Sequence, residues 1–441
     1  MKKSSIIILL INFIIGTSLS AQQQLDKYFE HLFQNRKMMG SVAISFNDSI
    51  IYTKTVGLAN ADTKIAIDTD TKIRIGSVTK TYTAVLVLKA VEEGKLRLDD
   101  TLHSFYPQIK NAEKISIEQL LKHRSGIINF TEIPGENSWE QAFHTEEEFI
   151  EFFVHEKSNF EPGTDFEYSN TNYALLGFIL EKVYDQSFAE ILKEKICRPL
   201  NLKNTYFTTE TDETKKEALS YNIQNRYIQN AKVNFSNHPA SGGMVSTAVE
   251  LNLFLSALFN KKLISEESLE IMLPKNGGEY GMGIEKLPFS SPEGYTHGGR
   301  IENYFSEYWY FPKEKLGIVT LANAINIYSE DIQMAMLQYA YGTSPELPNF
   351  NKINKLSEKE FGKIAGTYVE KKRGFTVTVS SDGKNAIFQN ASSGQMFFPI
   401  DYKENHIFQY ENEIQLEFFP AKKEMKLTQG NIQEYYTKLP K

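Results

Sequence analysis

The sequence is short of cysteine, of basic charge and, after its first fifteen residues, of long apolar runs, and each shortage excludes something. One cysteine in 441 residues, Cys197, forms no intramolecular disulfide and supplies no thiolate cluster for zinc or iron–sulfur. Stability must therefore come from packing, and no metal or organic cofactor is implied. Against 55 Asp and Glu stand 48 Lys and Arg, a net charge of −7. The clustered positive charge that neutralises a nucleic-acid backbone is missing, so nucleic acid is not an expected partner. Gly-x-Ser-x-Gly, His-Glu-x-x-His, the Walker loop and Gly-x-Gly-x-x-Gly are all absent, as are internal repeats and low-complexity tracts.

What is present is a large globular chain, 41% apolar, long enough for two or three domains. It opens with Lys2 and Lys3, an apolar stretch from Ile6 to Ile15 and small residues from Gly16 to Ala21. This reads as a secretory signal over residues 1–21, cut near Ala21 or Gln22, with an apolar core too short to span a bilayer. The expectation is a periplasmic or secreted protein with no transmembrane segment after cleavage.

Turn chemistry and periodicity organise the rest. An amphipathic helix is expected from Leu25 to Gln34. A hairpin follows, Ser41 to Phe46 and Ile50 to Val56, about Asn47 and Asp48. Apolar residues at helical spacing from Val78 to Glu92, with Gly94 beyond, predict one long helix. Residues 101–264 read mainly as helical patches, clearest from Tyr173 to Val183. A second hairpin joins Tyr304 to Phe311 with Leu316 to Ala322, before a helix capped at Ser329. The polar, proline-bearing stretch 342–355 suits a linker between residues 22–341 and a β-rich unit over 356–441. In that unit, strands are expected at Phe375 to Val379, Asn385 to Gln389, Gln395 to Ile400, His406 to Tyr410 and Ile414 to Phe419. Phe397, Phe398, Phe408, Phe418 and Phe419 would be core residues.

Three short motifs carry the chemistry. In Ser77-Val78-Thr79-Lys80, residues three apart on a helix share a face, so the amine can meet the hydroxyl and serve as its base. Burial and the positive helix end would lower the lysine pKa toward a useful value. In Tyr168-Ser169-Asn170, a phenol near an amine can act as acid or base, and an amide can hold a substrate carbonyl. In His297-Gly298-Gly299, paired glycines allow close backbone approach, and the Arg300 N–H can share an oxyanion hole with that of Ser77. Each pattern is cheap alone: Ser381-x-x-Lys384 and Tyr410-Glu411-Asn412 fit as well, and an isolated His-Gly-Gly suits a turn. Together they stand in one order, at intervals of 91 and 129 residues (77 to 168, 168 to 297).

In that order the chain resembles the serine β-lactamase and penicillin-binding protein superfamily, in its class C β-lactamase, D-alanyl-D-alanine carboxypeptidase and esterase branch. Leu120 to Ile127, Pro162-Gly163, Thr205-Tyr206-Phe207 and Ser241 to Thr247 match further, and the resemblance covers about residues 25–341. It implies an α+β fold: an antiparallel sheet made from both ends of the domain, flanked by helices, with a helical insert, followed here by a small antiparallel barrel or lipocalin-like domain. It implies an acyl-enzyme on Ser77, with Lys80 taking the proton, Tyr168 protonating the leaving group, Asn170 orienting the substrate, and the N–H groups of Ser77 and Arg300 holding the oxyanion beside Gly299. Many relatives carry Lys-Thr-Gly where this chain has His297-Gly298-Gly299. A histidine mostly neutral near pH 7 is a weaker carboxylate anchor and a better hydrogen-bonding partner for Tyr168. The reading is a broad serine acyl hydrolase acting on a small-molecule or peptide substrate. A β-lactamase or carboxypeptidase proper, and a penicillin-binding or sensor protein without turnover, are the alternatives. His123 is expected to be a buried structural residue, Cys197 a core thiol, and Arg300 either a substitute charge or a surface ion-pair member.

Overall fold

The computed structural model describes residues 20–440 except 134–141, 224–225, 232, 239, 276–279, 289–291, 351–355, 372–375, 382–385, 391–397, 411–413 and 430–431. Residues 1–19 of the expected signal at 1–21 lie outside these, as do Phe397 and the last part of the expected linker. Two distant parts of the sequence build one six-stranded antiparallel sheet, in the spatial order Glu285–Lys286, Tyr295–Ile301, Tyr304–Phe311, Leu316–Ile325, Met38–Phe46, Ser49–Val56. The first hairpin closes on Asn47 and Asp48, both at positive φ, which suits the twist of a two-residue turn. Met38–Phe46 pairs along its length with Leu316–Ile325, from Met38↔Ile325 to Phe46↔Leu316.

Both faces of this sheet are covered, so its central strands are apolar on both sides. Val42 and Ile44 join Phe29, Leu32, Ile332 and Met336 from the helices 20–34 and Ser329–Ala340. The alternate residue Ala43 joins the larger core, with Tyr82, Val85, Phe254 and Leu255. Thr79–Glu92 is buried nearly all round, as a helix crossing the middle of a domain must be. Ser329 is the first residue of its helix rather than the cap; Tyr328 precedes it with no side-chain cap. His297-Gly298-Gly299 is no turn: it lies inside the strand Tyr295–Ile301, whose glycines broke the expected alternation.

The C-terminal unit is a closed barrel of eight antiparallel strands from Gly366–Glu370 to Ile432–Lys438. Gly366–Glu370, Glu424–Gln429 and Ile432–Lys438 were not among the expected strands. Its interior is packed with side chains including Tyr368, Val377, Phe388, Phe408, Leu416 and Phe418; Phe419 is half-buried. Helix Glu358–Ile364 caps it through Ile364, whose carbonyl accepts from the Tyr368 hydroxyl at 2.6 Å. The Tyr328 hydroxyl ties the barrel to the sheet unit by donating to the Gln409 carbonyl at 3.2 Å. Among the described residues, no helix is long and apolar enough to cross a membrane and no three metal-ligating side chains cluster.

Candidate active site

Ser77 stands at the mouth of the long helix. Its tight turn starts at Gly76, at φ +47, where a Cβ would come within 2.7 Å of the Arg300 nitrogen. Glycine is needed both for the dihedral and for the approach. A 3₁₀ turn, Gly76–Val78, leads into Thr79–Glu92, so Ser77 and Lys80 lie on one face with Oγ and Nζ 3.0 Å apart.

The surroundings of Lys80 decide what that contact can do. Its Nζ donates to Asn170 Oδ1 at 2.8 Å and to the Ser241 carbonyl at 2.7 Å. Both are pure acceptors and use two N–H groups, so in the neutral amine the lone pair faces the Ser77 hydroxyl. The side chain is fully buried, and no carboxylate among the described residues is within ion-pair distance. Burial accordingly holds the Lys80 pKa well below the ordinary lysine value. The Ser241 segment is laced to the same helix: Thr83 Oγ1 donates to the Ala240 carbonyl at 2.7 Å and the Met244 N–H to Thr79 Oγ1 at 3.3 Å.

Tyr168 and Asn170 arrive together at the start of helix Asn170–Tyr184. The Asn170 N–H donates to Asn129 Oδ1 at 3.0 Å, and its Nδ2 to Thr131 Oγ1 at 3.4 Å. The Tyr168 ring lies 4.9 Å from Lys80 Nζ. Burial raises its pKa above the usual phenol range, Ser77 opposes the rise and the Glu285 carboxylate adds to it. Tyr168 therefore keeps its proton at neutral pH while Lys80 tends to lose one. His123 packs behind it at 4.3 Å between ring centroids, fully buried, accepting the Ser169 N–H at 3.2 Å.

The strand Tyr295–Ile301 forms the opposite wall. A Cβ on Gly299 would meet the Ile75 carbonyl at 2.1 Å, Ser306 Oγ at 2.4 Å and the Ser77 nitrogen at 3.0 Å, so this approach also requires glycine. The backbone nitrogens of Ser77 and Arg300 thus both lie where the Gly76 turn meets this strand. Gly298 is exposed with open space beside it. The Arg300 guanidinium is exposed over Phe305, 5.0 Å from the ring centroid. His297 is buried, and burial first, then Lys80, pushes its pKa down to about 3. Its Nδ1 lies 2.7 Å from the Gly298 carbonyl.

Ser77, Lys80, Tyr168, Asn170, Gly299 and the Arg300 backbone are therefore gathered in one place. His297 joins them differently from the expectation. Its ring centroid is 6.4 Å from that of Tyr168, and the hydroxyl on its Nε2, at 3.1 Å, belongs to Tyr280. Strand geometry aims the imidazole into the wall rather than at the reacting phenol. Sequence reasoning missed Tyr280, Asn129 and Thr131, because each reaches the site only through tertiary contacts; Ser241 stood in a matching stretch but had no role. His123 is the buried structural residue expected. Cys197 is a core thiol on the Thr205 carbonyl at 3.2 Å, with burial pushing it up to about 12.

Known proteins resemble the chain in sequence and in fold. Residues 25–338 match the family-level description of Beta-lactamase. Protein flp of Staphylococcus aureus strain N315 is 30% identical over 329 residues, covering 70% of this chain and 64% of that protein. The chain thus spans just under two thirds of the length of that curated relative. Among solved structures, an octameric penicillin-binding protein homologue from Pyrococcus abyssi is 25% identical with a TM-score of 0.64, covering 94% of this chain and 99% of its own. A D-stereospecific amidohydrolase from Streptomyces sp. is 25% identical with a TM-score of 0.59, covering 70% and 94%. Fold, motif geometry and these matches lead to one identification: the chain belongs to the beta-lactamase family, within the serine hydrolase superfamily.

Proposed function

We propose that this protein is an exported serine acyl hydrolase that forms an acyl-enzyme on Ser77 with ester, peptide or D-amino-acid-containing substrates. The observation that carries the reading is the Lys80 amine. It is buried with no counter-ion among the described residues, has two N–H groups committed to Asn170 and Ser241, and points its remaining valence at Ser77 Oγ. Neutral Lys80 accepts the serine proton as Oγ attacks the carbonyl. The Ser77 and Arg300 N–H groups receive the oxyanion, a preorganised interaction worth a hundredfold or more in rate for each donor, as a rough figure. Tyr168, held protonated, gives its proton to the leaving group, and the resulting phenolate is recharged from the Lys80 ammonium. Water then enters by the reverse relay and releases the acid product.

The choice of substrate follows from charge. A buried neutral histidine occupies the position from which a cation would attract a free carboxylate, and Glu285 lies 4.0 Å from it. This favours esters, amides and D-amino-acid-containing peptides over β-lactams, and the resemblance to a D-stereospecific amidohydrolase supports the amide arm. The Lys2-Lys3 start and the apolar stretch after it support export. Mass spectrometry after incubation with a fluorophosphonate tests the activated serine. An adduct on Ser77 that vanishes in Ser77→Ala is expected, and an unmodified wild type would defeat the proposal. A panel of short-chain aryl esters, D-amino-acid amides, D-alanyl-D-alanine peptides and a chromogenic cephalosporin then orders the substrate classes, with the cephalosporin expected last.

A further inference from the structure

Two imidazoles and a phenol form an unbroken hydrogen-bonded chain behind the reacting groups, and its two ends set its direction. At one end the Ser169 backbone N–H, which can only donate, lies 3.2 Å from His123 Nδ1. That nitrogen is the acceptor, and a neutral His123 carries its proton on Nε2. At the other end His297 Nδ1 lies 2.7 Å from the Gly298 carbonyl oxygen, which can only accept, so this nitrogen carries a proton. Tyr280 stands between them, 3.2 Å from His123 Nε2 and 3.1 Å from His297 Nε2. With both rings neutral every contact is satisfied: His123 Nε2–H donates to Tyr280 Oη, and the Tyr280 O–H donates to His297 Nε2. The nearby Tyr173 does not compete for the acceptor, because its own hydroxyl donates to the Leu121 carbonyl at 2.8 Å. A phenol suits the midpoint because one atom both accepts and donates; phenylalanine there leaves two buried imidazole nitrogens without partners.

This chain encloses Tyr168, whose ring centroid is 4.3 Å from His123, 6.0 Å from Tyr280 and 6.4 Å from His297. The segment carrying Tyr280 is also pinned to the nucleophile helix. Thr81 Oγ1 donates to the Gly283 carbonyl at 2.7 Å, and a Cβ on Gly283 would meet the Lys80 carbonyl at 2.4 Å. The Tyr280 hydroxyl therefore joins the loop of His123 to the strand of His297, while the backbone three residues on, at Gly283, is tied to the helix of Ser77 and Lys80.

We infer that Tyr280 is a positioning residue for acyl transfer: its hydroxyl couples His123 to His297, fixes them as complementary neutral tautomers, and holds Tyr168 and the Gly299–Arg300 backbone in register with Ser77. Its kinetic consequence rests on the serine-hydrolase reading, whereas the tautomer assignment does not. Histidine-selective ¹⁵N labelling of the full chain at neutral pH tests the assignment, with His123→Gln and His297→Gln used to identify the signals. The expected spectrum has His123 protonated on Nε2 and His297 on Nδ1. An imidazolium at either position, or the same tautomer on both, overturns the proposal, and this wild-type result decides even if a Tyr280 variant fails to fold. Tyr280→Phe is expected to lower kcat on an aryl ester by about tenfold or more while KM stays within about threefold. Combined with His297→Gln, it should cost no more than the stronger single change. Unchanged kcat, or fully additive losses, overturns it. Fluorophosphonate labelling separates the two readings. An unlabelled wild type with the expected tautomers defeats the hydrolase and leaves the chain standing; a labelled wild type with other tautomers defeats the chain alone.

Discussion

The sheet unit and the C-terminal barrel are both built by antiparallel pairing, one as an open sheet and the other as a closed barrel, yet they fill their interiors in opposite ways. The first buries Lys80, His123, His297, Arg74, Asn172 and Gln333 completely or nearly so. In the barrel, among the described residues, Glu370 is the one polar side chain buried to that degree, and the rest of the interior is apolar and aromatic. A lysine or histidine taken out of water must surrender its charge or find a partner, which weakens the fold. The sheet unit tolerates this beside Ser77, where the proposed acyl transfer uses a neutral amine. The barrel follows packing alone, its strands closing around a filled core.

Substitutions that remove the buried amine or its serine should separate the two regions most sharply. Ser77→Ala and Lys80→Ala are each expected to reduce kcat/KM on an aryl ester by about 10⁴-fold or more, measured in steady state. Gly299→Ala comes next. Its methyl group would be forced onto the Ile75 carbonyl and Ser306 Oγ, displacing the strand from Ser77. A loss of about a hundredfold in kcat is expected, the size of one oxyanion donor.

Acid should then destabilise the sheet unit through its histidines. Burial holds the native pKa of His123 well below 6.5 and that of His297 at about 3. Below pH 6.5 the unfolded chain binds protons that the native state refuses, so stability is lost as pH falls from about 6.5 toward 3. At pH 5 this amounts to about 2 kcal/mol for His297, and His123 acts in the same direction. Denaturant titrations at pH 7 and pH 5 read the loss, and His297→Gln should flatten the slope. The smallest effect on activity is expected in the barrel. Phe418→Ala should cost the barrel about 3–5 kcal/mol of packing while kcat stays within about twofold; a larger fall in kcat would show that the barrel shapes the site.

Legibility from sequence followed the range of the interactions. Ser77 and Lys80 were readable because a helix brings residues three apart together, and the first hairpin because Asn47 and Asp48 sit between alternating strands. Tyr168, Asn170 and Gly299 were readable only as a set, from their order along the chain. Tyr280 was not readable, since its partners lie 157 and 17 residues away and nothing local distinguishes one tyrosine from the other 22. The strand through His297 was hidden by its glycines. In the barrel, Glu424–Gln429 points only Met425 and Leu427 inward between polar neighbours, a pattern too short and too polar to stand out.

The pH dependence of fluorophosphonate labelling at Ser77 reads whether a neutral Lys80 activates the serine. A single ionisation well below the ordinary lysine value of about 10.4 is expected, with the rate lost as pH falls through it and a plateau above it. A labelling rate that keeps rising until about pH 10, as an exposed lysine would give, or one that persists unchanged in Lys80→Met, would contradict it.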